Sequence, residues 1–184
     1  MKQKPAICVF CGSSDGNNPH FSQSAEQFGQ FIGSNGFSLI YGGGGAGMMG
    51  TLARATAAAG GDILGIMPDF LRSYELPPEW VHDLVLTSDM AQRKNQMIDA
   101  AAAFVILPGG PGTMDEFFEV MTLKGLNRIH QPILLVDVDG YFAPLNALVA
   151  HMQAAGLMRD GYKDVYETVA SPAEAMARLQ QLLG

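Results

Sequence analysis

The sequence predicts an α/β fold, a single doubly wound Rossmann-like domain over residues 1–184 with a mainly parallel sheet and helices on both faces. Three observations predict it. Short apolar runs alternate with segments of helical period, the runs are continuous rather than alternating, and glycine-rich loops follow several of them directly. Continuous apolar strands are those buried on both faces, which a parallel sheet between two helix layers requires.

In order, the run I-C-V-F at 7–10 is the first strand, and the helical pattern at 21–34 returns the chain to S-L-I-Y at 38–41. A helix over 48–59 leads to I-L-G-I-M at 63–67. The irregular stretch 68–78 then reads as a flap or cover before a short strand at 84–86. A helix over 90–101 precedes F-V-I-L at 104–107. The next helix, 113–124, leads to I-L-L-V at 133–136, and helices over 144–155 and 172–183 complete the chain. Ser171-Pro172-Ala173-Glu174 is a helix start, with a capping serine, proline at the first helical position and a glutamate three residues on.

With 184 residues, 48% of them hydrophobic, the chain can bury one substantial core, and no second block of different composition appears. The net charge of −7 argues against nucleic acid and anionic membranes as partners, although a locally positive pocket can hold one phosphate. No apolar stretch approaches the roughly 20 residues that span a bilayer, and Met1-Lys2-Gln3-Lys4-Pro5 leads into a strand rather than a signal sequence, so a cytoplasmic protein is expected. Cys8 and Cys11 form a C-x-x-C, but Cys8 sits inside an apolar run where a redox motif would open a helix; buried cysteine is the preferred reading. His20, His82, His130 and His151 lack metal-ligand spacing, no metal is expected, and no nucleophile elbow or P-loop ending appears.

In doubly wound sheets ligands bind beyond the carboxyl ends of the strands. The most informative loop there is Pro108-Gly109-Gly110-Pro111-Gly112-Thr113-Met114-Asp115-Glu116. Glycines let its backbone approach a ligand, and the free N–H groups at the helix start favour an anion such as phosphate. Thr113 and Glu116 also fit a capping box, so that pair alone does not establish chemistry. A second loop, Gly45-Ala46-Gly47-Met48-Met49-Gly50 with Asp69 downstream, matches the dinucleotide fingerprint G-x-G-x-x-G, with tight strand-to-helix packing as its alternative. The polar loop Cys11-Gly12-Ser13-Ser14-Asp15-Gly16 is the third that follows a strand.

On the helix over 90–101 the apolar stripe Met90, Met97, Ile98, Ala101 carries Arg93 and Lys94 between its members. Arg93 suits bidentate recognition of an oxyanion, and Lys94 a point charge or an internal salt bridge. Either could instead snorkel to solvent. Beside a phosphate-binding loop, Glu116 can stabilise positive charge on a sugar or orient water during glycosidic cleavage of a sugar phosphate.

At this point the chain resembles the Lonely Guy family of cytokinin-activating phosphoribohydrolases, often labelled lysine decarboxylase-like. The resemblance rests on C-V-F-C-G-S-S at 8–14, Y-G-G-G at 41–44 continuing to G-M-M-G at 47–50, Met90 with Arg93-Lys94 and Met97, the loop at 108–116, and V-D-G-Y-F at 138–142. It implies hydrolysis of a nucleoside 5′-monophosphate, N6-substituted AMP or AMP, to free base and ribose 5-phosphate, with no cofactor. It implies Arg93 and Glu116 as the catalytic pair. Substrate contacts would come from Glu75, Lys94, Gly110, Pro111, Gly112, Thr113, Met114, Asp115 and Thr122, in a homodimer or higher homo-oligomer.

The chain departs from the family's T-W-x-Q-L-G-x-H-x-K-P segment, reading T-L-K-G-L-N-R-I-H-Q-P at 122–132. The tryptophan and glutamine are absent, which implies a changed base preference. A nucleotide or cofactor carrier that binds without hydrolysis is the alternative, and an NAD-dependent enzyme the third reading. Lysine decarboxylation is set aside: a pyridoxal enzyme needs a Schiff-base lysine, and of Lys2, Lys4, Lys94, Lys124 and Lys163 only Lys94 falls near the inferred site.

Overall fold

A computed structural model describes residues 4–78, 81, 83–162 and 164–184. Its centre is one parallel sheet of seven strands in the order β4-β3-β2-β1-β5-β6-β7. The strands are β1 (Ala6–Phe10), β2 (Ser38–Tyr41), β3 (Asp62–Pro68), β4 (Leu84–Thr87), β5 (Ala103–Ile106), β6 (Ile133–Val136) and β7 (Glu167–Val169). The helices are α1 (Pro19–Ser34), α2 (Gly47–Ala58), α3 (Met90–Ala100), α4 (Pro111–Gly125), α5 (Ala143–Ala154) and α6 (Pro172–Leu183).

Strand side chains alternate between two cores, as the period of two demands. Ile7, Val9, Leu39, Val105 and Val136 face α1, α2 and α6, which add Phe28, Leu52 and Leu179. Cys8, Phe10, Ile40, Phe104, Ile106 and Leu135 face α3, α4 and α5, which add Met97, Phe117 and Val149. Strand order reverses between β1 and β5, where the crossovers turn to opposite sides. The carboxyl ends of these two strands carry the loops at 11–18 and 107–110, the place such a sheet offers a ligand.

Two details differ from the sequence reading. Three-residue β7 has no apolar run, only Val169 being buried, and it forms because β6 supplies a free edge. The stretch after β3 contains a 3-10 helix, Asp69–Ser73, where a wholly irregular segment was expected. The start of α6 follows expectation: Ser171 Oγ accepts from the Glu174 N–H at 3.2 Å, and Glu174 Oε2 accepts from the Ala170 N–H at 2.8 Å. No helix among the described residues is long and apolar enough to cross a membrane. His82, Lys2 and Lys163, given roles or excluded above, lie outside the described residues.

Candidate active site

The loop after β5 enters α4 three residues earlier than a Thr113 cap would allow. Gly110 is the N-cap and Pro111 occupies the first helical position, so Thr113 and Glu116 lie inside the helix and the capping-box reading is wrong. Proline takes N1 because its missing N–H is one the helix could not have paired. With no capping side chain, the N–H groups of Gly112 and Thr113 have no acceptor among the described residues, unlike the starts of α1, α3 and α6, which are capped by Asn18, Asp89 and Ser171. Two unpaired donors and the positive end of the helix dipole meet at one point.

These donors border a cavity of about 220 Å³ lined by Cys11, Gly12, Ser13, Met49, Leu71, Glu75, Met90, Arg93, Gly110, Pro111, Gly112, Thr113 and Glu116. Arg93 enters from α3 and Glu116 from α4, and Nη2 stands 3.1 Å from Oε1 with both side chains over 90% buried. Arg93 Nε also donates to the Ile66 carbonyl at 3.2 Å, and Gly42 passes beneath the guanidinium so closely that a Cβ there would collide with it. The arginine is thus fixed from three sides. Burial raises the Glu116 carboxyl to about 7; Arg93 and Lys94 oppose that rise, while Asp115 and Glu75 add to it. A carboxyl poised near neutrality, beside a fixed cation and within a cavity, has the properties of a general base or electrostatic stabiliser.

The structure brings together Arg93, Glu116, Glu75, Gly110, Pro111, Gly112 and Thr113. Lys94 does not line the cavity. Its ammonium is held by Asp115 at 2.9 Å and Glu119 at 2.7 Å, the internal salt bridge rather than the point charge. Burial lowers its proton affinity, but the bonds to Glu119 and Asp115 outweigh that and raise it. Met114 packs on the core shared with α3 and α5. Thr122 lies in a different cavity, with Phe118, Leu126, Leu157 and Tyr162. Sequence reasoning missed Leu71 as a cavity residue, because a lone apolar side chain in an irregular stretch carries no periodic signal; Gly12, Ser13 and Met49 belong to loops already singled out.

The second glycine loop serves packing. Gly47 has φ +58°, and a Cβ there would strike the Ser13 carbonyl. The Met49 N–H at the start of α2 donates to the Gly12 carbonyl at 3.2 Å, and the Gly45 N–H to the Leu76 carbonyl at 3.1 Å. These donors are therefore spent on the protein, and Asp69 pairs with Arg72 on the surface rather than reaching a ribose. Cys8 and Cys11 are buried free thiols, both pushed well up by burial. The described residues hold no group of three or more His, Cys, Asp or Glu able to bind a metal. A larger cavity of about 500 Å³ at the opposite ends of the strands offers only Lys4, Asp62 and Asp83 as charged groups, two of them paired.

Residues 49–179 match the protein family described as "Possible lysine decarboxylase". A relative from Oryza sativa subsp. japonica, named a probable cytokinin riboside 5′-monophosphate phosphoribohydrolase, is 37% identical over 95% of this chain and 78% of its own. A cytokinin riboside 5′-monophosphate phosphoribohydrolase of Arabidopsis thaliana is 34% identical over 95% of this chain and 81% of its own. Among solved structures, the molybdenum cofactor carrier protein of Chlamydomonas reinhardtii superposes with a TM-score of 0.75 at 22% identity, covering 98% of this chain and 99% of that one. At that identity the likeness speaks for the fold alone.

Proposed function

The chain belongs to the Lonely Guy family of cytokinin riboside 5′-monophosphate phosphoribohydrolases, and on that premise we propose that it hydrolyses the N-glycosidic bond of a nucleoside 5′-monophosphate, AMP or an N6-substituted AMP. The products are the free base and ribose 5-phosphate. The observation that carries this reading is the buried Arg93–Glu116 pair in a cavity that the unpaired start of α4 also borders.

In the proposed reaction the N–H groups of Gly110, Gly112 and Thr113 hold the 5′-phosphate, where the helix dipole favours negative charge. Pro111 fixes the entry of α4. The ribose then lies over Glu116. As the bond from C1′ to the base nitrogen lengthens, positive charge grows on the sugar ring, and the ionised carboxylate stabilises it. The bonding pair leaves with the base, which takes up a proton from solvent to become the neutral free base; water adds to C1′, its proton passes to Glu116, and Glu116 returns that proton to solvent before the next turnover. Arg93 holds the carboxylate in position and opposes its protonation. Glu75, on the segment after the 3-10 helix, lines the cavity and contacts the nucleoside. Lys94 and Asp115 brace α3 against α4, Met114 anchors α4 to the core, and Thr122 takes no part in the same subunit's cavity.

The proposed setting is a cytoplasmic homodimer or higher homo-oligomer acting in cytokinin activation or nucleotide salvage, without nucleic acid or membrane partners. The test is a substrate panel: nucleosides, 5′-monophosphates and 5′-diphosphates of each base, with N6-isopentenyl-AMP, analysed by chromatography. Release of base from monophosphates but not from nucleosides supports the reading. Stoichiometric binding of a monophosphate with no base released refutes hydrolysis and leaves the carrier alternative.

A further inference from the structure

The V-D-G-Y-F segment after β6 has no part in the reaction just described, yet it touches the phosphate loop. The Tyr141 hydroxyl donates to the Gly109 carbonyl at 2.7 Å. Its ring is held edge-on by Phe21, with centroids 5.2 Å apart, and by Phe142 at 4.9 Å. The turn that presents it is tied down as well. Asp139, in the left-handed region at φ 53°, accepts from Asn18 Nδ2 at 2.8 Å and pairs with His20 Nδ1 at 2.6 Å.

The bonded carbonyl belongs to a peptide between two glycines. Gly109 cannot be otherwise, since a Cβ there would run into Thr113 Oγ1 and come within 2.9 Å of the Gly12 nitrogen. A peptide flanked by two residues without Cβ can rotate at little steric cost, so sequence alone leaves its orientation open. In a trans peptide the carbonyl and the following N–H point in opposite directions. Fixing the Gly109 carbonyl toward Tyr141 therefore turns the Gly110 N–H away from it. Gly110 borders both the Arg93–Glu116 cavity and a neighbouring one of about 250 Å³, whereas Tyr141 borders only the latter. The Gly110 N–H has no acceptor among the described residues, and Gly110 lines the cavity that holds Arg93 and Glu116.

We propose that Tyr141 is a positioning residue for phosphate recognition: its hydroxyl selects the Gly109–Gly110 peptide orientation that adds the Gly110 N–H to those of Gly112 and Thr113. This rests on the function proposed above and assigns the loop's geometry to a side chain outside the loop. Without the hydroxyl the competent orientation becomes one of several, and apparent affinity falls by the fraction lost.

Tyr141→Phe keeps the ring and removes one oxygen. Calorimetry with ribose 5-phosphate and with inorganic phosphate is expected to show about fivefold to tenfold weaker binding, the size of one hydrogen bond. KM for the monophosphate rises by the same factor, kcat falls less, and the urea midpoint falls by no more than the loss of one hydrogen bond accounts for. A merely structural role would move the midpoint and leave the folded protein's phosphate affinity unchanged. Unchanged affinity in Tyr141→Phe, with wild type hydrolysing its substrate, overturns this inference alone. Failure of wild type to hydrolyse, with the affinity difference intact, overturns the reaction and leaves the positioning role. No affinity of wild type for either anion overturns both.

Discussion

Replacing Glu116 by glutamine should flatten the dependence of folding stability on pH. In the folded protein burial raises this carboxyl to about 7, against 4.5 for the unperturbed group. The folded state therefore binds the proton more tightly than the unfolded chain. Its contribution is fully present below pH 4.5 and is lost as pH rises through 7. That displacement corresponds to about 3 kcal/mol between the two limits, by the equivalence of one pH unit to about 1.4 kcal/mol. Glutamine keeps the volume and an oxygen that can accept from Arg93, but it cannot ionise. Urea unfolding of both proteins at intervals from pH 4.5 to 8.5 isolates the effect, because every other titrating group is common to the two. Wild type should lose about 3 kcal/mol more than Glu116→Gln across that range. Parallel profiles would refute the argument and place Glu116 in a solvated setting, or so tightly paired with Arg93 that burial no longer dominates.

The same titration should appear in the rate: kcat/KM for the monophosphate rises with pH through about 7, with a limiting slope of one proton, as Glu116 ionises. A flat profile from pH 5.5 to 8 would exclude its carboxylate as the reactive form. Arg93→Met should lower turnover by at least about a hundredfold and stability at pH 8 by about 3 kcal/mol, because Glu116 and the Ile66 carbonyl both lose their buried partner. Gly47→Ala forces a Cβ into the Ser13 carbonyl at positive φ, and urea denaturation should show a loss of more than about 1 kcal/mol. Cys8 and Cys11, both buried and raised, should resist an aromatic disulfide reagent at pH 8 until denaturant is added.

The sheet was readable in the sequence wherever a strand is buried on both faces. I-C-V-F, F-V-I-L and I-L-L-V are apolar throughout because helices cover both sides of β1, β5 and β6. β7 was not, because Glu167 and Thr168 are exposed and Val169 alone reaches the core. The loop at 108–116 announced a helix start with free donors, but its register was misjudged. Pro111 outranks Thr113 as the start signal, since proline fixes φ while threonine only offers a cap. On sequence alone Arg93 suits oxyanion recognition and Lys94 stands between a point charge and an internal salt bridge, and packing decides: Gly42 makes room for the guanidinium, whereas Asp115 and Glu119 on α4 claim the ammonium. The alternation of residues along a segment carries burial, but which neighbour a charge meets on the adjacent helix is set by long-range contacts that no local pattern encodes.

In the proposed reaction Glu116, held by Arg93, carries glycosidic hydrolysis in the cavity beside the start of α4. The most direct test of that role is the quantity of free adenine and ribose 5-phosphate released from AMP by wild type and by Glu116→Gln, with circular dichroism and urea midpoints establishing that both are folded. Equimolar base and ribose 5-phosphate from wild type, and at least about a hundredfold less from the folded variant, is the predicted result. Comparable release from both proteins would contradict it and assign the chemistry to another group.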